Sequence, residues 1–191
     1  MNNYEYIIAS FPDLDEGART HPEIPIPRII REIREQCSEA DQKTVDFLLS
    51  AWNGENLGEE FYHIALSHRS RFIREFFAFD LHVRNAKCRF INTRIGRESD
   101  TDTVVIDCGE FLEESKISSI LQRTSILGRE EGLDDAYWDK IDEITALDIF
   151  DLDIVLGYLA KIKIIDRWLR LDPDKGRELM RKLVEEIRNT R

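Results

Sequence analysis

The run from Arg69 to Gly96 constrains this chain more than any other stretch. Phe72, Phe76, Phe79, Val83, Ala86 and Phe90 follow one another in steps of four and three. That spacing lines one face of an α-helix and gives a continuous seam for a neighbouring helix. Ile73, Phe77, Leu81, Cys88, Ile91 and Ile95 widen the stripe, with Arg84 falling among them. Arg71, Glu75, His82, Asn85, Arg89 and Asn92 lie on the other flank. Gly96 is the expected C-cap.

Residues 150–187 supply a second apolar stretch. Val155, Leu159, Ile162, Ile165 and Leu169 recur at helical spacing beside Leu156, Ala160, Ile164 and Trp168. A membrane span is excluded by Asp153, Lys161, Lys163, Asp166, Arg167 and Arg170. Each charge near a bilayer centre costs about 2.5–3.5 kcal/mol on insertion scales. Asp151 is the expected N-cap; Asp172 and Pro173 open a further helix through Leu179, Met180, Leu183, Val184 and Ile187. The stretch therefore predicts a helical hairpin.

Elsewhere, Ile29, Ile30, Ile33 and Cys37 suggest a helix, and Ser38 caps another through Val45, Leu48, Leu49 and Trp52. "NGEN" at 53–56 reads as a turn and "LGREEGLDD" at 127–135 as a loop, followed by a short helix through Trp138, Ile141 and Ile144. Tyr4, Tyr6 and Ile8 alternate, and so can form a short strand or an extended arm. Val104–Ile106 is a second strand candidate that could pair with the first, or equally the lead into a helix beginning near Glu110. The expected fold is mainly α, a helical bundle or layered helices, with at most one short two-stranded pairing near the N-terminus. Residues 1–191 read as a single domain, with 1–130 and 131–191 as the alternative subdivision.

Charge is segregated along the chain. Residues 69–97 carry 8 basic and 2 acidic groups, whereas residues 98–153 carry 4 basic and 17 acidic, within a net charge of −11. Basic helices packing beside acidic segments of the same chain would explain this; so would a face offered to a charged partner. Arg71, Arg74, Arg84, Lys87, Arg89, Arg94 and Arg97 could meet phosphates. The acidic flanks and the lack of any recognition motif disfavour nucleic acid.

The search for chemistry is mostly negative: no Gly-rich phosphate loop, G-x-S-x-G or H-E-x-x-H occurs. Glu60 and His63 form a single E-x-x-H pair, where a di-iron bundle needs two. Glu113–Glu114, Glu130–Glu131 and Asp134–Asp135 are sequence neighbours that do not share a helix face, and they read as solvated surface. Cys37, Cys88 and Cys108 have no zinc spacing, and Cys88 reads as core rather than nucleophile. Met1 to Ser10 lacks a basic leader, so reduced thiols in the cytoplasm are expected. No catalytic residue, cofactor or metal is expected.

Four stretches together resemble the C-subunit-like family of the V/A-type ATPases, a short bacterial family labelled domain of unknown function 2764. They are "YIIASFPDL" at 6–14, "FDLHVRNAKCRFINTRIGR" at 79–97, "LDIFDLDIVLGYLAKIKIIDRWLRLD" at 147–172 and "KGRELMRKLVEEI" at 175–187. Arg84 and Asn85 stand at that family's Arg-Asn dipeptide. The resemblance implies an all-helical socket without catalytic residues, seated between the central shaft and the membrane rotor ring and passing torque between them. It implies other V/A-type ATPase subunits as partners. It also implies a cytoplasmic location peripheral to the inner membrane, with no insertion of this chain into it. Arg84, Asn85, Arg89, Arg94 and Arg97 are the candidate partner interface, by electrostatic complementarity. A stand-alone helical adapter is the alternative, and a nucleic-acid binder using residues 69–97 is a more distant one.

Overall fold

Serine and aspartate side chains set where the helices begin. A computed structural model describes residues 4–14, 24–52 and 57–170. Among these, the helices in chain order are α1 (Tyr4–Ala9), α2 (Ile26–Gln36), α3 (Glu39–Ser50), α4 (Glu59–Leu66), α5 (Arg71–Ile95), α6 (Glu114–Leu121), α7 (Ile126–Thr145) and α8 (Leu152–Leu169). Ser38, Ser70 and Ser125 accept from the backbone N–H groups of Asp41, Ile73 and Gly128, satisfying donors left open at the starts of α3, α5 and α7. Asp151 does the same for α8 through the amides of Asp153 and Ile154. Gly96 ends α5 at φ +73°, a left-handed conformation that favours glycine.

Helix α5 is the spine, packed against α4, α6, α7 and α8. Its first half enters the larger core through Phe72, Ile73, Phe76, Phe77 and Leu81, against Val155, Leu156, Leu159, Ala160, Ile162 and Ile165 of α8. Helices α1 to α4 close that core with Ile7, Ile29, Ile33, Val45, Leu48, Tyr62 and Ala65. A smaller core gathers Phe79 and Val83 against Ile117, Ile120 and Leu121 of α6 and Leu133 and Ala136 of α7. Each fully buried Leu, Ile or Phe contributes about 1.5–3 kcal/mol, so α5 is held by both cores. Beyond Val83 the seam opens: Ala86 and Phe90 are half-buried, and Ile91 and Ile95 are exposed.

The fold is the expected helical one, with several local differences. Tyr4–Ala9 is helical, not extended. Its buried residue is Ile7, facing α8, while Tyr6 points to solvent. Packing of one apolar side chain on α8 overrode the alternating pattern. Val104–Ile106 pairs with no strand, and no strand occurs among the described residues. "LGREEGLDD" is the first half of α7 rather than a loop. Leu133 and Ala136 are buried there, and a Cβ on Gly132 would lie 3.0 Å from Ile120 Cγ2, so close packing on α6 outweighs glycine's poor helix propensity. Helix α7 runs unbroken through residue 130. The "NGEN" turn and the final helix of the expected hairpin lie outside the described residues.

Among the described residues, no helix is long and apolar enough to cross a membrane.

Candidate functional site

The five residues expected at a partner interface all lie on or just beyond the second half of α5, but they do different things. The Arg84 guanidinium donates to the Leu57 carbonyl and lies 5.9 Å from the centre of the Tyr62 ring, which ties α5 to the start of α4. Asn85 Nδ2 donates to the Val104 carbonyl at 2.8 Å, and its Oδ1 accepts from the Val104 amide at 3.0 Å. These two are spent inside the fold. Arg89 pairs with Asp100 at 2.7 Å and Arg97 with Asp102 at 3.4 Å, both in the loop after α5. Arg94, alone of the five, has neither a hydrogen-bond acceptor nor a carboxylate partner among the described residues; its guanidinium stacks on Phe90, 4.6 Å from the ring centre.

The charge segregation is largely consumed in the same way. Between the blocks, Arg71 meets Asp148, Lys87 meets Glu130 and Lys161 meets Asp142, while Lys116 and Lys140 answer Asp139, Glu113 and Glu143 inside the acidic block itself. Basic and acidic blocks are neighbours in space.

A cavity of about 200 Å³ lies between α3, α5, α7 and α8. Trp52, Phe76, Phe77, Leu133 and Ile164 form its apolar wall. Asp80 stands in the polar wall and accepts from Tyr62 Oη at 2.6 Å and Tyr137 Oη at 2.7 Å. Burial raises the Asp80 pKa, and the two tyrosine bonds with the nearby Arg84 and Lys87 offset this only in part. The same burial, with the adjacent carboxylate, raises the Tyr62 and Tyr137 hydroxyls.

The other charges around the cavity answer one another. Glu130 sits 3.5 Å from Lys87 and 3.7 Å from Arg167, and Lys163 holds Asp166 at 2.8 Å. Asp134, expected on the surface, is 3% exposed and accepts from Arg167 and from Trp168 Nε1. It sits where α7 turns inward against α8, a position that sequence adjacency to Asp135 cannot convey. Among the described residues, no serine, threonine, cysteine or histidine lines the cavity. The arrangement is a polar lock joining α4, α5 and α7.

A second constellation is Cys108 with His82. The thiol Sγ lies 3.4 Å from Nε2, and the imidazole stacks on Phe111 with ring centres 4.7 Å apart. Burial pushes the thiol pKa up and the imidazole pKa down. Both groups are thereby held towards their neutral forms, the reverse of an activated thiolate–imidazolium pair. His63 pairs with Glu59 at 3.7 Å rather than with Glu60, both exposed. No group of three or more metal-ligating side chains occurs among the described residues.

Several large apolar side chains also remain uncovered. In the turn between α7 and α8, Leu147 is 91% exposed, Ile149 70% and Phe150 53%. The turn is held in place: Arg71 binds Asp148, the Asp148 amide donates to the Thr145 carbonyl, and Ser70 Oγ donates to Asp153. At the other end of α5, Ile91 is 52% and Ile126 73% exposed, and they line one narrow groove with Phe90, Leu121 and Arg129.

Sequence reasoning missed Asp80, Asp134, the Cys108–His82 contact and the 147–150 turn. Two signals were present. A lone carboxylate between Phe79 and Leu81 marks a polar group on a buried helix, and three large apolar residues just before an Asp151 cap exceed what a short turn can bury.

A family model matches residues 53–190, and its description is Protein of unknown function (DUF2764). No curated protein and no solved structure matches the chain. That description carries no link to the C subunit of the V/A-type ATPases, which corrects the assignment to a C-subunit-like family. The stretches behind the assignment are mostly amphipathic helices, whose apolar periodicity recurs in any helical bundle and does not single out one family. With most of its length matched, the chain belongs to the family described as Protein of unknown function (DUF2764).

Proposed function

We propose that this chain is a non-catalytic helical component that couples other proteins by holding them at a fixed distance. One observation supports this reading above all. The exposed apolar turn at 147–150 is pinned to Arg71 at the start of α5, and the exposed Ile91 and Ile95 lie near its end. Twenty helical residues separate Arg71 from Ile91, a span of about 30 Å at 1.5 Å per residue. Bare clusters of large apolar side chains commonly mark interaction surfaces. Two of them at opposite ends of one continuous helix, one tied to its start through Arg71 and one carried near its end, suit a bar that transmits position or force.

The narrower reading is a central-stalk component joining the shaft of a V/A-type rotary ATPase to its membrane rotor ring. It is the same mechanical role with named partners and depends on which proteins bind. A stand-alone adapter is the same role with other partners. Nucleic-acid binding through residues 69–97 is the weaker reading, because Arg89 and Arg97 already pair with Asp100 and Asp102.

Affinity purification of the full chain from its native cells, followed by mass spectrometry, tests the proposal. Leu147→Ser with Phe150→Ser should release one set of partners, and Ile91→Ser with Ile126→Ser another. Rotary ATPase shaft and ring proteins among them would support the narrower reading. Recovery of no partner, or of the same partners with every variant, would sink the proposal.

A further inference from the structure

The far end of α5 carries two arginines on one aromatic ring. Phe90 lies beneath two guanidiniums, with Arg94 Cζ at 4.6 Å and Arg129 Cζ at 5.6 Å from the ring centre. Neither arginine makes a side-chain hydrogen bond or an ion pair among the described residues, and Arg129 Nε is buried with no hydrogen-bond partner. Lys87, Arg89 and Arg97 on or next to the same helix are each matched by an acid. In a chain of net charge −11, two cations left over on one ring are unusual. An arginine that no carboxylate of its own chain answers can form a charge-assisted, bidentate pair with an incoming one.

Grooves run on both sides of the ridge formed by Phe90 and Leu121. The wider, about 370 Å³, has Arg94 on its wall; the narrower, about 90 Å³, has Ile91, Ile126 and Arg129. Carboxylates are present too: Glu114 borders the wider groove and Glu130 the narrower, but Glu130 is already shared by Lys87 and Arg167.

We propose that this end of the molecule docks an acidic amphipathic segment of a partner protein. Its apolar side chains would seat against Phe90, Leu121, Ile91 and Ile126, and its carboxylates would meet Arg94 and Arg129. A helix laid in a groove offers that combination of periodic apolar anchors and flanking charge. Phosphate backbones offer the charge but nothing for the two exposed isoleucines. The proposal rests on the protein-coupling reading and adds the chemistry of one partner.

The test uses the full chain and two labelled helical peptides of equal length, both with leucines at i, i+3, i+4 and i+7. One carries glutamates elsewhere, the other lysines, and binding is read by fluorescence anisotropy at low and high salt. The glutamate peptide should bind more tightly than the lysine peptide, more weakly as salt rises. Arg94→Glu should weaken it about tenfold, and Arg94→Lys less. Arg94 is exposed, so this variant should keep the native circular dichroism and melting temperature; Arg129→Glu then provides the second reading. Equal binding of the two peptides, no binding of either, or no effect of Arg94→Glu overturns the proposal. So does tighter Arg94-dependent binding to a single-stranded oligonucleotide or to phosphatidylglycerol vesicles. If the glutamate peptide fails while Ile91→Ser with Ile126→Ser still releases a native partner, coupling stands and the acidic chemistry is wrong.

Discussion

Asn85 holds Val104 with both ends of its carboxamide, donating to the carbonyl at 2.8 Å and accepting from the amide at 3.0 Å. The side chain thus satisfies both backbone groups of a residue that lies in no helix or strand. About two helical turns further on, Asn92 Nδ2 donates to the carbonyls of Ser99 and Thr101. Two asparagines on α5 therefore fasten the connection that leads to α6. Asn85→Ala should cost about 1–2 kcal/mol and speed amide hydrogen exchange at Val104 well beyond the global change. Unaltered exchange at Val104 would show that the clamp is dispensable.

Tyr137→Phe removes the donor on one Asp80 oxygen and leaves that oxygen enclosed beside an apolar wall. Urea unfolding should give a loss of about 1–3 kcal/mol. Tyr62→Phe together with Tyr137→Phe should be non-additive, because both hydroxyls serve one carboxylate.

Asp80 should also impose a pH dependence. Burial raises its pKa, so the folded chain keeps this proton to higher pH than the unfolded chain does. Its contribution is most favourable below the ordinary aspartate value of about 3.9 and declines as pH rises from there through the folded value. Urea midpoints of the native chain should fall relative to those of Asp80→Asn over that rise. A gap that stays constant with pH would contradict the assignment.

Gly157 lets α8 lie close to α7 and α5. A Cβ there would come within 3.0 Å of Thr145 Cγ2 and 3.1 Å of Ile141 Cγ2. Gly157→Ala gains about 1 kcal/mol of helix propensity, yet overpacking a core costs about 1–3 kcal/mol. Thermal melting should show net destabilisation; a raised melting temperature would mean the two methyls yield freely.

Arg167→Met should cost about 2 kcal/mol, below the roughly 3–5 kcal/mol of a fully buried pair, since Arg167 is half exposed and Trp168 still donates to Asp134. Trp168 fluorescence is the local readout, and it should shift with the loss of stability.

The amino-acid sequence by itself determined the helices with strong caps and long apolar stripes. Ser38, Ser70, Asp151 and Gly96 act through neighbours a few residues away, and the stripes of α5 and α8 need only helical periodicity. Tertiary structure decided the rest, because those outcomes depend on residues far apart in the chain. Gly132 sits in a helix because α6 lies against it, and Ile7 is buried because α8 covers it. Arg84 and Asn85 read along the chain as candidates for a partner interface but spend their hydrogen bonds on Leu57 and Val104. Arg129 meets Phe90 across 39 residues of sequence, a contact that no local pattern encodes. Periodicity fixes which side of a helix is apolar; only packing decides which polar groups on the other side are consumed and which are left over.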